Sequence, residues 1–290
     1  RAIYVDNIGN IRILGLYNGL DVEVTNETGS ERNSLNGWKV NFSGKEDHQA
    51  YYLSDLSIFN FDFTRNLVAS WQFEQNLLDY TGNNNGTAIG SIDVNDVDGG
   101  RVAFGAQFLG STDYITVPDS TDFEMVTVGS DTPFSISLWV KFNAFRTPSE
   151  GEFLINKIGG TTNEWNIKHQ DSILNATLTD GANNIRITYT PSWVIDTWYH
   201  VVITYDGSEN KDGLIMYVDN VSVGTQAETG TYTGMTAGDS ALIMGTDGGA
   251  PATGELVGVL DEIKVYKNRV LNVSEISKMY TKELAGISVL

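Results

Sequence analysis

The chain has 290 residues, 41 % of them hydrophobic, and 18 basic against 37 acidic side chains give a net charge of −19. That length suits one large domain or one with a smaller partner, and 12 Phe, 13 Tyr and 6 Trp can supply its core. The negative field disfavours nucleic acid and bare membrane as partners, and the absence of cysteine excludes disulfides, thiolate metal sites and cysteine nucleophiles.

From the N-terminus, residues 1–66 read as a separate small β-rich unit or a partial sandwich. AIYVD, IRILGLY, DVEVT, WKVNF, AYYL and LSIFNFDF are strand-like and joined by polar turns. Residues 67–290 form the second unit. Strands are predicted near 67–73, 113–117, 151–157, 163–169, 172–179, 184–190, 241–244 and 255–266. FSISLWVKF (134–142) puts Phe134, Ile136, Leu138, Val140 and Phe142 on one face, while WYHVVITY (198–205) and GLIMYV (213–218) read as core strands. Turns are predicted at Asp206-Gly207 and Asp219-Asn220. Short strands at about ten-residue spacing indicate a β-sandwich or jelly roll, with a barrel as the alternative. Asn272 and Glu275 have the spacing of a capping box, and Val273, Ile276, Met279 and Tyr280 give a helical stripe, so one short C-terminal helix is expected before the apolar tail AGISVL.

From residue 67 the segments follow a familiar order. LVASWQFEQNLLDYTGNNNGT, AQFLGSTDYITVPDS, FSISLWVKF, TWYHVVITYDG, LIMYVDN and GVLDEIKVYKNRVLNVSEISKMY together resemble the laminin-G-like, concanavalin A-like lectin/glucanase jelly roll over about 67–282. The resemblance implies an all-β fold of two antiparallel sheets, with AQFLG and DYITVP as a hairpin and Trp71, Phe73, Trp139 and Trp198 in the core. It also implies a structural calcium ion. Its ligands would be Asp79, carbonyls or amides of the Gly82–Asn85 loop such as Asn84, and Asp261, with Glu74 as an extra ligand. Without a metal, Asp79 and Asn83–Asn85 would make an Asx-type turn.

Other motifs carry less. DVNDVDGG (93–100) superficially resembles a calcium loop, but Asp98 and Phe104 stand where an EF-hand needs Gly and Glu, so it reads as a solvated loop. Glycosidases on related jelly rolls carry a Glu-x-Asp-x-(x)-Glu triad on one strand, and no such triad occurs here; Asp261 and Glu262, the nearest candidate, alternate to opposite faces. His48, His169 and His200 are the three histidines, and His200 reads as a strand residue rather than a catalytic base. No enzymatic activity is expected. Trp165 and Trp193 adjoin Gly/Asn/Ser-rich stretches and are the candidates for stacking on a sugar face, while no pattern decides Trp38. Six Asn-x-Ser/Thr sites, at Asn26, Asn41, Asn85, Asn175, Asn220 and Asn272, are close to the number that composition gives by chance.

The expected function is an extracellular recognition or adhesion module, stabilised by calcium, that binds glycan or a surface protein. The alternative is a structural subunit of a filament, surface layer or virion, in which copies of the chain join through the N-terminal unit or the ISVL tail. The Arg1 start is expected to mark removal of an upstream segment or signal, and no apolar run reaches the roughly 18 residues of a membrane span.

Overall fold

Period-two alternation makes strands that can each bury one face, and in the computed structural model strands far outnumber the one described α-helix. The structure describes residues 61–96, 99–110, 112–127, 129–146, 151–159, 164–248 and 253–290, together with the strand backbones of five earlier segments. Two compact units are present, Arg1–Phe61 and Asp62–Leu290.

In the first unit, β1 (Ala2–Val5), β2 (Ile11–Leu14) and β5 (Tyr51–Tyr52) form a three-stranded antiparallel sheet in the order β1-β2-β5. The hairpin of β3 (Asp21–Glu27) with β4 (Gly37–Ser43) pairs seven residues on each side, from Asp21↔Ser43 to Glu27↔Gly37. Most of the predicted LSIFNFDF strand, and the side chain of Trp38, lie outside the described residues.

The second unit is a sandwich. One sheet contains β6 (Leu67–Trp71), β8 (Ala106–Leu109), β12 (Phe134–Phe142), β17 (Trp198–Tyr205), β18 (Leu214–Val218), β19 (Val221–Val223) and β22 (Val257–Lys267). Its order is β19-β18-β17-β12-β22-β6, with β8 also on β22. The other contains β7 (Thr87–Ile89), β9 (Tyr114–Val117), β13 (Glu152–Lys157), β14 (Trp165–Gln170), β15 (Ile173–Thr179), β16 (Asn184–Tyr189), β20 (Thr225–Thr229) and β21 (Leu242–Met244), in the order β20-β16-β15-β14-β13-β21-β9-β7. A two-residue ladder of β10 (Val126–Thr127) with β11 (Ser130–Asp131) lies apart from both. The fold is thus an antiparallel β-sandwich jelly roll. The alternate residues Phe134, Ile136, Leu138, Val140 and Phe142 face the core between the sheets, opposite residues such as Ile155, Ile167, Ala176 and Ile187 of the second sheet.

The AQFLG and DYITVP segments are not a hairpin. β8 pairs with β22 in one sheet and β9 pairs with β7 and β21 in the other. The chain crosses between sheets at Gly110, whose φ of +81° suits glycine, and the Asp113 carboxylate ties the corner by accepting the Leu109 and Ser91 N–H groups at 3.1 and 2.8 Å. At Asp219 and Asn220 both φ values are positive, as the two-residue turn from β18 to β19 requires, whereas Asp206-Gly207 opens a longer connection that ends in a 3₁₀ turn at Lys211–Gly213.

The C-terminal helix α1 (Val273–Leu284) starts as expected. Asn272 Oδ1 accepts the Glu275 N–H at 3.0 Å while Glu275 accepts the Asn272 N–H at 2.9 Å. The helix buries Glu275, Ile276, Met279 and Glu283. It covers the outer side of the first sheet, where Trp139 stacks on Tyr280 at 5.7 Å and on His200 at 4.9 Å. Trp139 is therefore buried beneath the helix, since its odd position sets it opposite Leu138 and Val140. Trp198, placed in the core by resemblance, is only half-buried, with the Lys141 ammonium 5.1 Å over its ring. Beneath α1, Lys264 Nζ binds Glu262 and, at 2.7 Å, Glu283, whose other oxygen accepts the Trp139 indole N–H at 2.7 Å. The tail runs on along the same domain, with Ser288 Oγ donating to Glu262 at 2.9 Å.

Candidate ligand-binding face

The eight-stranded sheet turns one set of alternate residues away from the core. Along the register these align as Lys168↔Asn175↔Thr188↔Thr225 and Asn166↔Thr177↔Arg186. They are half-buried apart from the exposed Thr225, while the residues between them, such as Ile167, Ala176 and Ile187, are buried. The outward positions of β14, β15 and β16 hold amides, hydroxyls, Ile173, Lys168 and Arg186, and no Asp or Glu, in a chain that carries 37 acids. Arg186 donates to Thr229 Oγ1 at 3.2 Å, Lys168 Nζ lies 5.1 Å over the Phe153 ring, and Thr177 donates to Asn175 at 2.6 Å. The result is a surface of hydrogen-bonding groups whose outward positions on these three strands hold two basic side chains and no acid. The alternation signalled it, because these are the polar members of the strands predicted over 163–190, but the sequence reading singled out aromatic rings instead.

Those rings lie elsewhere. Trp165 is 2 % exposed, packs 6.5 Å from Phe134 in the core and points its indole N–H at the Phe123 carbonyl, 3.5 Å away. It has no free face for a sugar, because its odd position on β14 is an inward one. Trp193 is half-buried at one end of the sandwich, with Phe142, His169 and Tyr199 at ring distances of 5.3, 5.8 and 4.9 Å. Glu152, fully buried, fixes the His169 ring through a 3.0 Å contact at Nδ1. The apolar surface that reaches solvent at this end is Phe145, Val194 and Ile195.

Of the residues nominated for calcium, Asp79 and Asn84 meet within the opening loop, while Asp261 lies on β22. Glu74 and Asp79 line one open hollow of about 270 Å³ with Phe73 and Tyr80, but Asn84 and Asp261 are not among its walls. Burial pushes the Glu74 carboxyl up, against a hydrogen bond from the Phe104 N–H. Asp79 accepts the Ser70 and Thr81 N–H groups at 2.8 and 3.1 Å on Oδ1, and those of Asn83 and Asn84 at 3.3 and 3.0 Å on Oδ2, which also takes the Thr81 hydroxyl. Asn84 spends its side-chain N–H groups on Val68 O and Asp122, and its backbone carbonyl on the Trp71 indole N–H at 3.0 Å. Asp261 is buried and accepts the N–H groups of Arg101, Val102 and Glu262 at 2.7, 2.8 and 2.6 Å. Among the described residues, no three His, Cys, Asp or Glu side chains are placed to share an ion. These residues do not fit a calcium cage. Trp71→Phe, which leaves the Asn84 carbonyl unpaired, should cost about 2 kcal/mol in urea unfolding; no measurable loss would mean that the indole does not hold the loop.

A nucleophile-like contact does occur, between Ser137 Oγ and His200 Nε2 at 2.9 Å. All of its members are fully buried under α1. The Glu283 carboxylate lies 3.9 Å from that same nitrogen, while Nδ1 has no partner. The arrangement offers neither a relay nor a route for substrate.

Comparison with solved structures agrees with this architecture. The receptor-binding domain of botulinum neurotoxin C/D mosaic serotype superposes with a TM-score of 0.60 at 17 % identity, covering 76 % of this chain and 52 % of that one. The binding domain of botulinum neurotoxin DC in complex with rat synaptotagmin II gives 0.58 at 16 % (77 % and 52 %), and the same domain in complex with SialylT gives 0.57 at 15 % (75 % and 52 %). The chain spans about half the length of these domains. No curated protein sequence matches it. A family model described as the concanavalin A-like lectin/glucanases superfamily (Laminin_G_3) matches residues 109–277, more than half of the chain, and the protein belongs to that family.

Proposed function

We propose that this chain is a non-catalytic, extracellular recognition module that binds glycan on the outer face of its eight-stranded sheet. The observation that carries this reading is the acid-free face of Asn166, Lys168, Asn175, Thr177 and Arg186 in a protein of net charge −19. Amides and hydroxyls at strand spacing match the hydroxyl groups of a sugar chain, and two cations favour one that bears carboxylate or sulfate. Similar folds serve binding in the neurotoxin domains, one solved with rat synaptotagmin II and another with SialylT. No described helix is long and apolar enough to cross a membrane.

The test is a glycan array followed by calorimetry on the best binder. The double variant Lys168→Ala/Arg186→Ala should weaken binding at least about tenfold, with an unchanged melting temperature and a smaller salt dependence. If that variant binds like the wild type while Trp193→Ala loses affinity, the site is the aromatic end of the sandwich. Failure of every neutral and acidic glycan to bind would overturn the reading.

A further inference from the structure

We infer that the opening loop of the jelly roll is a metal-free socket, in which backbone N–H groups do the work of a divalent cation, so that neither stability nor recognition depends on calcium there. The direction of the hydrogen bonds separates a socket of this kind from a cation cage. Calcium collects six to eight oxygens, so a loop built for it aims carbonyls and carboxylates inward. Here the loop aims donors inward. Both Asp79 oxygens are taken by the N–H groups of Ser70, Thr81, Asn83 and Asn84 and by the Thr81 hydroxyl. Five donors exceed the roughly four lone-pair sites of a carboxylate, and successive N–H groups around an anion form a nest that balances its charge.

Two further observations on separate elements agree. Asp261, on β22, is occupied in the same manner by the Arg101, Val102 and Glu262 N–H groups. The loop is tied to the sandwich by side chains as well: Trp71 donates to the Asn84 carbonyl, and Asn84 bridges Val68 O to Asp122 Oδ2 at 3.0 and 2.9 Å. An ion entering this loop would have to displace donors that the backbone cannot turn away without unpairing β6, because Ser70 is a residue of that strand.

The experiment measures melting of the full chain in chelator and in millimolar calcium, for the wild type and Asp79→Asn, with a terbium titration read by tryptophan-sensitised emission. The wild-type melting temperature should agree in the two buffers within about 1 °C. Asp79→Asn, which turns an amide N–H toward the nest, should melt several degrees lower by the same amount in both. A structural ion at a hundredfold its dissociation constant would instead raise the wild-type value by roughly 5–10 °C. Such a rise, abolished by Asp79→Asn, would overturn the inference, as would saturable terbium emission that calcium displaces and Trp71→Phe removes. A rise that persists in Asp79→Asn would place the ion elsewhere and leave the socket as described. If Asp79→Asn does not fold, the wild-type melts and the terbium titration still decide.

Discussion

Lys264→Met should cost the jelly roll about 3–5 kcal/mol, because it removes the cation from a buried cluster and leaves two carboxylates facing each other. Lys264, Glu262 and Glu283 are all fully buried. The ammonium is the link between them: it binds both side chains, and Glu283 passes the connection to the Trp139 indole. Arg101 cannot substitute, since it is engaged on the Glu283 and Leu284 carbonyls at the end of α1. The measurement is urea unfolding followed by tryptophan fluorescence, with a melting temperature lower by roughly 10 °C. Adding Glu262→Gln and Glu283→Gln to Lys264→Met should restore part of the loss by removing the stranded charges. A single-variant cost below about 1 kcal/mol would mean that water enters the cluster and that α1 is not locked by it.

Acid should withdraw the stability that His200 contributes to the domain. Burial, with Lys264 close by, holds this imidazole down at about 3, against 6.5 when it is free. A histidine with a depressed native pKa stays neutral in the fold but takes up a proton in the unfolded chain. Its contribution to stability is therefore complete above pH 6.5 and is lost as pH falls from there to about 3. By linkage that loss amounts to about 4–5 kcal/mol as an order of magnitude. Glu283, raised to about 7 by burial, opposes it between 4.5 and 7. Its protonated form is favoured in the fold, so its own contribution falls as pH rises through that window. Subtracting the stability profile of His200→Gln from that of the wild type isolates the histidine. The difference should grow steeply below pH 6.5, and a flat difference would show that water reaches the ring.

What the sequence made legible was whatever has a strong local period. FSISLWVKF and WYHVVITY became β12 and β17 with the bounds that alternation gave, and the Asn272–Glu275 box set the start of α1. Short edge strands such as β7, β19 and β20 were missed, because three to five residues without a buried face carry no alternation. The β8–β9 hairpin was misread because one glycine with φ of +81° sends the chain to the other sheet, and composition does not reveal which partner a strand takes. Trp165 and Trp193 have similar neighbours in sequence, but Trp165 takes an inward position on β14 while Trp193 lies in the loop between β16 and β17. Composition alone does not decide the calcium set. An Asp/Asn/Gly loop has one composition whether it points carbonyls or N–H groups inward, and only backbone geometry separates a cation cage from an anion nest.

The placement of β22 has a consequence for how the protein comes into being. This late strand lies beside β12 on one side and β6 and β8 on the other, and Ile263 opposite Trp71 joins residues about 190 positions apart. Until it emerges from the ribosome, the first sheet lacks its middle, and β6 and β8 have no strand of that sheet to pair with. Closing so long a loop before any reward is slow, so the first sheet is expected to assemble only after β22 has been made. During synthesis the exposed strand edges would need protection from one another, and the strong negative charge of the chain, by keeping nascent copies apart, provides some of it.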